Sequence, residues 1–176
     1  HDAEQIDALR KFGFKLFYGD ASRVDLLEAA GASTAKVLVV AVDEREKILE
    51  IAAVAKKHFP HLKIFARAFD RVHAYHLINL GVSNVHREVF SSSVDMGEQV
   101  LVALGQHPFE AHRAAKTFKD FDEKVLRETA RHTGDMEKLV DIARQSRAEL
   151  SRVLAGDRTT RPVNIDQAWE DNDGRS

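Results

Sequence analysis

Apolar residues along this chain follow two regimes. Up to about residue 87, short apolar runs alternate with stretches whose apolar positions recur every three or four residues. Beyond it only the helical spacing persists. Asp2–Lys11 reads as a helix, with Asp2 as N-cap, Ile6 and Leu9 on one face and Gly13 as its stop. Phe14–Tyr18 then reads as a strand. Gly19-Asp20-Ala21-Ser22 turns the chain into a helix from Ser22 to Ala30, with Ser22 as cap, Asp25 completing a capping box and Gly31 as the stop. The β-branched run Lys36–Val42 suits a strand buried on both faces. A second helix starts at Asp43-Glu44, runs through Ile48, Ile51, Ala52 and Ala55, and breaks at Phe59-Pro60. Ile64–Ala66 is a short strand ending at Arg67, Asp70–Leu80 a helix stopped by Gly81, and Val82–Val85 a weak last strand.

Alternating strands and helices with short connections imply βαβ units and a parallel sheet. The expected class is α/β, a Rossmann-like parallel sheet followed by a helical arm. Residues 1–87 form the nucleotide-binding portion, 88–155 the arm and 156–176 a flexible tail. Within the arm, Val94–Leu104 is one amphipathic helix. Gln106-His107-Pro108 breaks it, Phe109–Arg131 supplies one or two more, and Met136–Leu154 another. The chain starts on a helix and has no Gly-x-Gly-x-x-Gly after a strand, so the phosphate-binding first βαβ unit is expected upstream of His1.

Composition narrows the function classes. The net charge of −2 on 176 residues gives no basic field for nucleic acid. Without cysteine there is no disulfide, thiolate metal site or cysteine nucleophile, which suits a reducing cytoplasm. No run approaches the roughly 18 apolar residues of a membrane helix. The nine histidines lack metal-motif spacing and read as surface residues, although His73 and His76 lie one turn apart. Neither Gly-x-Ser-x-Gly nor a Walker sequence is present, and nothing assembles a nucleophile, base and oxyanion site. A binding module is favoured over an enzyme.

The candidate ligand positions lie where strands end, the edge at which open α/β sheets bind. Asp2 either caps its helix or accepts from a ribose. Asp20, Ala21 and Ser22 either line an adenine or ribose pocket or serve only as turn and cap. Asp43 and Glu44 favour the helix dipole, with ligand contact as the alternative. Arg67 meets a phosphate or forms a salt bridge to Asp70 or Glu88. Arg87, just past the last strand, suits a carboxylate partner at an interface.

The segment Ala8–Ser22 with its Phe-Tyr-Gly-Asp-Ala turn, His58–Ala68 with His-Phe-Pro-His-Leu, and Arg87-Glu88-Val89-Phe90 together resemble one family. This is the cytoplasmic regulatory domain of Kef-type glutathione-gated potassium efflux systems, a branch of the RCK or KTN domains. The resemblance runs from His1 to about Leu154. It implies a homodimer on the cytoplasmic face of the inner membrane, joined to a potassium/proton antiporter domain of the same polypeptide. Reduced glutathione keeps efflux closed, its S-conjugates open it to protect against electrophiles, and AMP or a related adenine nucleotide fills the Rossmann cleft. It further implies that Arg87 holds a glutathione carboxylate, that Phe12 lies near the sulfur and that Asp122, where some members carry asparagine, faces the glutathione site. A flavin-dependent oxidoreductase is the implied ancillary subunit. The alternatives are a KTN domain of another potassium transporter or channel gated by NAD(H) or ATP, and a fragment of a nucleotide-dependent oxidoreductase.

Overall fold

The structure is a computed structural model that describes Phe17 and residues 19–159. The expected Asp2–Lys11 helix, most of the Phe14–Tyr18 strand, the candidates Asp2 and Phe12, and residues 160–176 lie outside the described residues. The chain divides into two compact units, His1–Phe90 and Ser91–Ser176. In the first, elements are numbered from the first one described: α1 (Val24–Ala29), β1 (Val37–Val40), α2 (Arg45–His58), β2 (Lys63–Ala68), α3 (Arg71–Asn79) and β3 (Asn84–Arg87).

The three strands form one parallel sheet in the order β1-β2-β3, in register Val39↔Phe65 and Arg67↔His86. The period-two alternation of β2 assigns its two faces. Ile64, Ala66 and Ala68 are buried on the side packed by α2 and α3, while Lys63, Phe65 and Arg67 are not fully covered. The helices supply the rest of the core through Ile48, Ile51, Ala52 and Ala55 of α2 and His73, Ala74 and Leu77 of α3.

Several local expectations change on folding. β1 is not buried on both faces: Val40 is in the core, whereas Val39, one position away on the opposite face, is 68% exposed. A β-branched run reports strand propensity and cannot tell whether both faces will be covered. The capping box at Ser22 does not form. Arg23 is the N-cap of α1 and makes no side-chain cap bond, while Ser22 turns back on Asp20 and Asp25 accepts from Arg23. Glu44 occupies the N-cap of α2, also without a side-chain cap bond. Asp70 does cap α3, accepting from the His73 N–H at 2.8 Å. Gly81 follows α3 with φ +83°, the left-handed conformation a helix stop uses.

The second unit holds most of α4 (Phe90–Ala103), then α5 (Pro108–Ala130) and α6 (Met136–Thr159). α4 starts four residues before the expected Val94, because Ser91-Ser92-Ser93 joins the helix. Phe109–Arg131 proves to be a single helix of 23 residues, opened by Pro108 behind the His107 cap, whose Nδ1 accepts from the Phe109 N–H. α6 runs to Thr159, past the expected end at Leu154. α5 and α6 pack together, and Lys124 pairs with Glu149 across them at 3.5 Å. Among the described residues no helix is long and apolar enough to cross a membrane.

Candidate functional site

Polar side chains gather at the carboxyl ends of the three strands, and two ion-pair clusters organise them. The first is built on the Gly19–Ser22 turn. Gly19 has φ +147°, and a Cβ there would lie 3.1 Å from Cδ2 of Leu26, so the turn needs a glycine. One carboxylate oxygen of Asp20 accepts from both the N–H and the hydroxyl of Ser22, at 2.9 and 2.8 Å. The other accepts from Lys47 Nζ at 3.2 Å, and Lys47 also reaches Glu50 at 2.6 Å. The Ser22 donors, with Lys47 behind them, hold the Asp20 pKa down to about 2. Lys47 lies in the first turn of α2, directly after β1. It therefore ties the turn to the carboxyl edge of the sheet. Ala21 is half-buried in the same turn.

The second cluster spans the ends of all three strands. The Arg67 guanidinium, in β2, donates to the Val42 carbonyl at 2.7 Å and to Asp43 at 2.6 Å, both just past β1, and approaches Glu88 beyond β3 at 4.0 Å. Arg45, the first residue of α2, pairs with Asp70 at 2.6 Å. That pairing and the His73 N–H bring the Asp70 pKa to about 2. The Phe69 ring meets both guanidiniums, its centroid 5.1 Å from Arg67 Cζ and 5.8 Å from Arg45 Cζ. Its other neighbour is the His73 ring, stacked at 5.8 Å and 16°.

Of the candidates named from sequence, Asp20, Ala21, Ser22, Asp43, Glu44 and Arg67 lie at this edge, with changed partners. Asp20, Ala21 and Ser22 form the turn. Asp43 is the carboxylate partner of Arg67 and does not cap α2, and Glu44 is exposed at the N-cap position. The salt-bridge alternative for Arg67 holds through Asp43 and Glu88, not Asp70, which Arg45 takes. Arg87 is the last residue of β3, half-buried, with its Cζ 3.6 Å from the centroid of the Phe90 ring. Asp122 is half-buried on α5 of the second unit. The surface reading of the histidines fails at His73, which is completely buried. Among the described residues no histidine and carboxylate cluster could hold a metal ion. Sequence reasoning missed Lys47, Arg45 and Phe69. Their one signal was position, in the first turn after β1 and in the two residues between β2 and the α3 helix.

A parallel βαβ sheet with its polar residues gathered at the carboxyl edge, followed by helices, is the build of an α/β domain that binds ligands at the ends of its strands. The comparisons make the class specific. Residues 1–88, half of the chain, match the TrkA-N domain, and residues 92–172 match the potassium efflux system KefB C-terminal domain. The structure is similar to that of the Shewanella denitrificans Kef CTD in AMP bound form, at 51% sequence identity and a TM-score of 0.64, over 66% of this chain and 73% of that one. This chain belongs to the Kef family, as a C-terminal regulatory domain of a potassium efflux system.

Proposed function

We propose that the chain is the ligand-sensing domain of a potassium/proton antiporter, carried on the cytoplasmic face of the inner membrane by a membrane domain of the same polypeptide. It acts by binding and not by turnover. Glutathione holds efflux closed, and glutathione S-conjugates open it, so that the cell is protected against electrophiles. The observation that carries this reading is the 51% identity to a Kef domain whose structure contains AMP.

AMP or a related adenine nucleotide binds at the carboxyl edge. The Asp20-Ala21-Ser22 turn and Asp2 meet the adenosine, with Glu44 at the start of α2 beside them. Arg67 and Asp43 hold that edge in shape through their ion pair. Glutathione binds at Arg87, with Phe12 near its sulfur and Asp122 contributing from the helical arm. The Phe90 ring supports one face of the Arg87 guanidinium, and its donors lie in the plane, where a carboxylate approaches. A bulky S-substituent that displaces Phe12 gives the ligands different affinities for the two states, which gating requires. A homodimer completes the arrangement, and a flavin-dependent oxidoreductase is its ancillary subunit. Supporting the dimer, Met96 and Val100 on α4 and Leu104 just past its end recur at a four-residue spacing and are 64%, 51% and 80% exposed.

Calorimetry on the complete regulatory domain tests the reading. Arg87→Ala is expected to lower glutathione affinity by about tenfold or more, the worth of a charge-assisted hydrogen bond, and to leave AMP binding intact. Unchanged glutathione affinity overturns the Arg87 assignment. Failure of the parent domain to bind glutathione at all leaves NAD(H) or ATP gating as the better account.

A further inference from the structure

His73 is the one fully buried titratable side chain among the described residues, and nothing in ligand binding uses it. It lies in the first turn of α3, behind the Asp70 cap. Its Nδ1 accepts the backbone N–H of Phe69 at 3.3 Å, so the neutral ring carries its proton at Nε2. That Nε2 is buried without a hydrogen-bond partner. The imidazole is stacked on the Phe69 ring with 5.8 Å between centroids, and the Phe69 ring in turn carries the guanidiniums of Arg45 and Arg67 within 5.8 Å and 5.1 Å of its centroid. One aromatic pair therefore supports the junction between β2 and α3 and both arginines at the carboxyl edge.

We propose that His73 is an acid-sensitive latch, which holds Phe69 against the two arginines while neutral and releases it on protonation. The step is a single proton transfer. Nδ1 takes a proton from hydronium, which leaves water, becomes a donor and faces the Phe69 N–H, another donor, so the hydrogen bond is lost. The imidazolium that results has no acceptor at Nε2 within the core and must leave it. The surroundings oppose the charge while the fold is closed. Arg45 from α2 and His76 from the same helix disfavour it, whereas Asp70 and Glu46 favour it. Arg67 of β2 stands across the Phe69 ring, and Arg87 of β3 shares the covered sheet face with Ala68. Burial is the largest influence, and with Arg45 it moves the His73 pKa below the ordinary 6.5.

The direction of the pH effect follows. The opened state binds a proton at ordinary histidine affinity and the closed state binds it more weakly. Stability of the latch is therefore full above pH 6.5 and falls as the pH drops below that value. An antiporter that admits protons would in this way alter its own regulatory domain at the edge where the nucleotide is proposed to bind. The latch itself needs no ligand, so its test is independent of the glutathione and AMP assignments.

The test uses the whole chain without ligands. Long-range ¹H–¹⁵N NMR follows the His73 ring between pH 8 and 5.5, and hydrogen exchange reads the Phe69 amide, corrected for its intrinsic rate. The expected result is a neutral Nε2–H ring that titrates below 6.5, with Phe69 protection falling by up to about tenfold per pH unit below that point. In His73→Asn, which keeps an acceptor but cannot be protonated in this range, Phe69 protection should stay level. A His73 pKa at or above 6.5, Phe69 protection that stays level in the parent chain, or an equal slope in the variant overturns the proposal. If His73→Asn does not fold, the titration and exchange of the parent chain decide alone.

Discussion

Helices α2 and α4 are both 14 residues long and meet opposite fates. α2 carries six residues of Asp, Glu, Lys or Arg and still buries Ile48, Ile51, Ala52 and Ala55 completely or nearly so. α4 carries only two, Asp95 and Glu98, and none of its residues is fully buried. The less charged helix is the more exposed one. Composition alone would have assigned them the other way round. What separates them is the packing available to each. The apolar stripe of α2 covers the parallel sheet on one face, and its charged first turn supplies Arg45 and Lys47 to the carboxyl edge. α4 leaves Met96 and Val100 exposed, as is Leu104 just past its end. An exposed apolar stripe of this kind fits the dimer proposed above.

The sharpest way to break the comparison is a matched pair of truncations. Leu77 of α3 is 0% exposed in the core that α2 helps to build, whereas Leu104 at the end of the α4 stripe is 80% exposed. Leu77→Ala should cost about 2–5 kcal/mol of stability, as buried leucine truncations do. Leu104→Ala should leave a dilute sample within about 0.5 kcal/mol of the parent. Denaturant melts of both variants decide it, and equal losses would mean that α4 is covered within one chain.

A smaller effect is expected for Val100→Glu, read by sedimentation. A charge in the middle of the stripe should weaken self-association by about tenfold or more, since desolvating an unpaired carboxylate costs at least ~1.4 kcal/mol, with little change in the melt of the isolated chain. Unaltered association would remove α4 from the dimer interface.

The smallest effect concerns the polar edge. Asp70→Ala removes the α3 cap and the Arg45 pair and should cost about 1 kcal/mol near neutral pH, most of it from the cap. The Asp70 pKa is about 2 in the folded chain against 3.8 when free, so its contribution is present above 3.8 and is lost as the pH falls toward 2. The parent and variant melting curves should therefore converge on acidification through that window. A constant gap between them would show that the ion pair and cap do not stabilise the edge.

Local features were legible because their causes are local. Asp70, where the helix was expected to begin, lies one residue before it and caps it by accepting from the N–H three residues on, an entirely local contact. Gly31 and Gly81 follow α1 and α3 closely, and the Phe59-Pro60 break falls where α2 ends. Helical periodicity located α3, α5 and α6, and apolar runs located β1 and β2, whereas β3 (Asn84–Arg87) lies two residues beyond the expected Val82–Val85 and takes in Arg87. The candidate site was legible as an edge, the set of positions where strands end, and much less so as a set of partners. Asp43 looks like a helix-start carboxylate until Arg67, 24 residues away, takes it.

The amino-acid sequence by itself thus determined where the strands and helices fall and that the polar turns share one side of a parallel sheet, because propensity, capping and period act over a few residues. The tertiary structure alone decided that Lys47 reaches Asp20 across 27 positions, that Arg45 takes Asp70 across 25, that Val39 stays open and that His73 is buried. These depend on strand register and on which faces meet. Both are fixed by the summed burial of the core, and no single residue carries them.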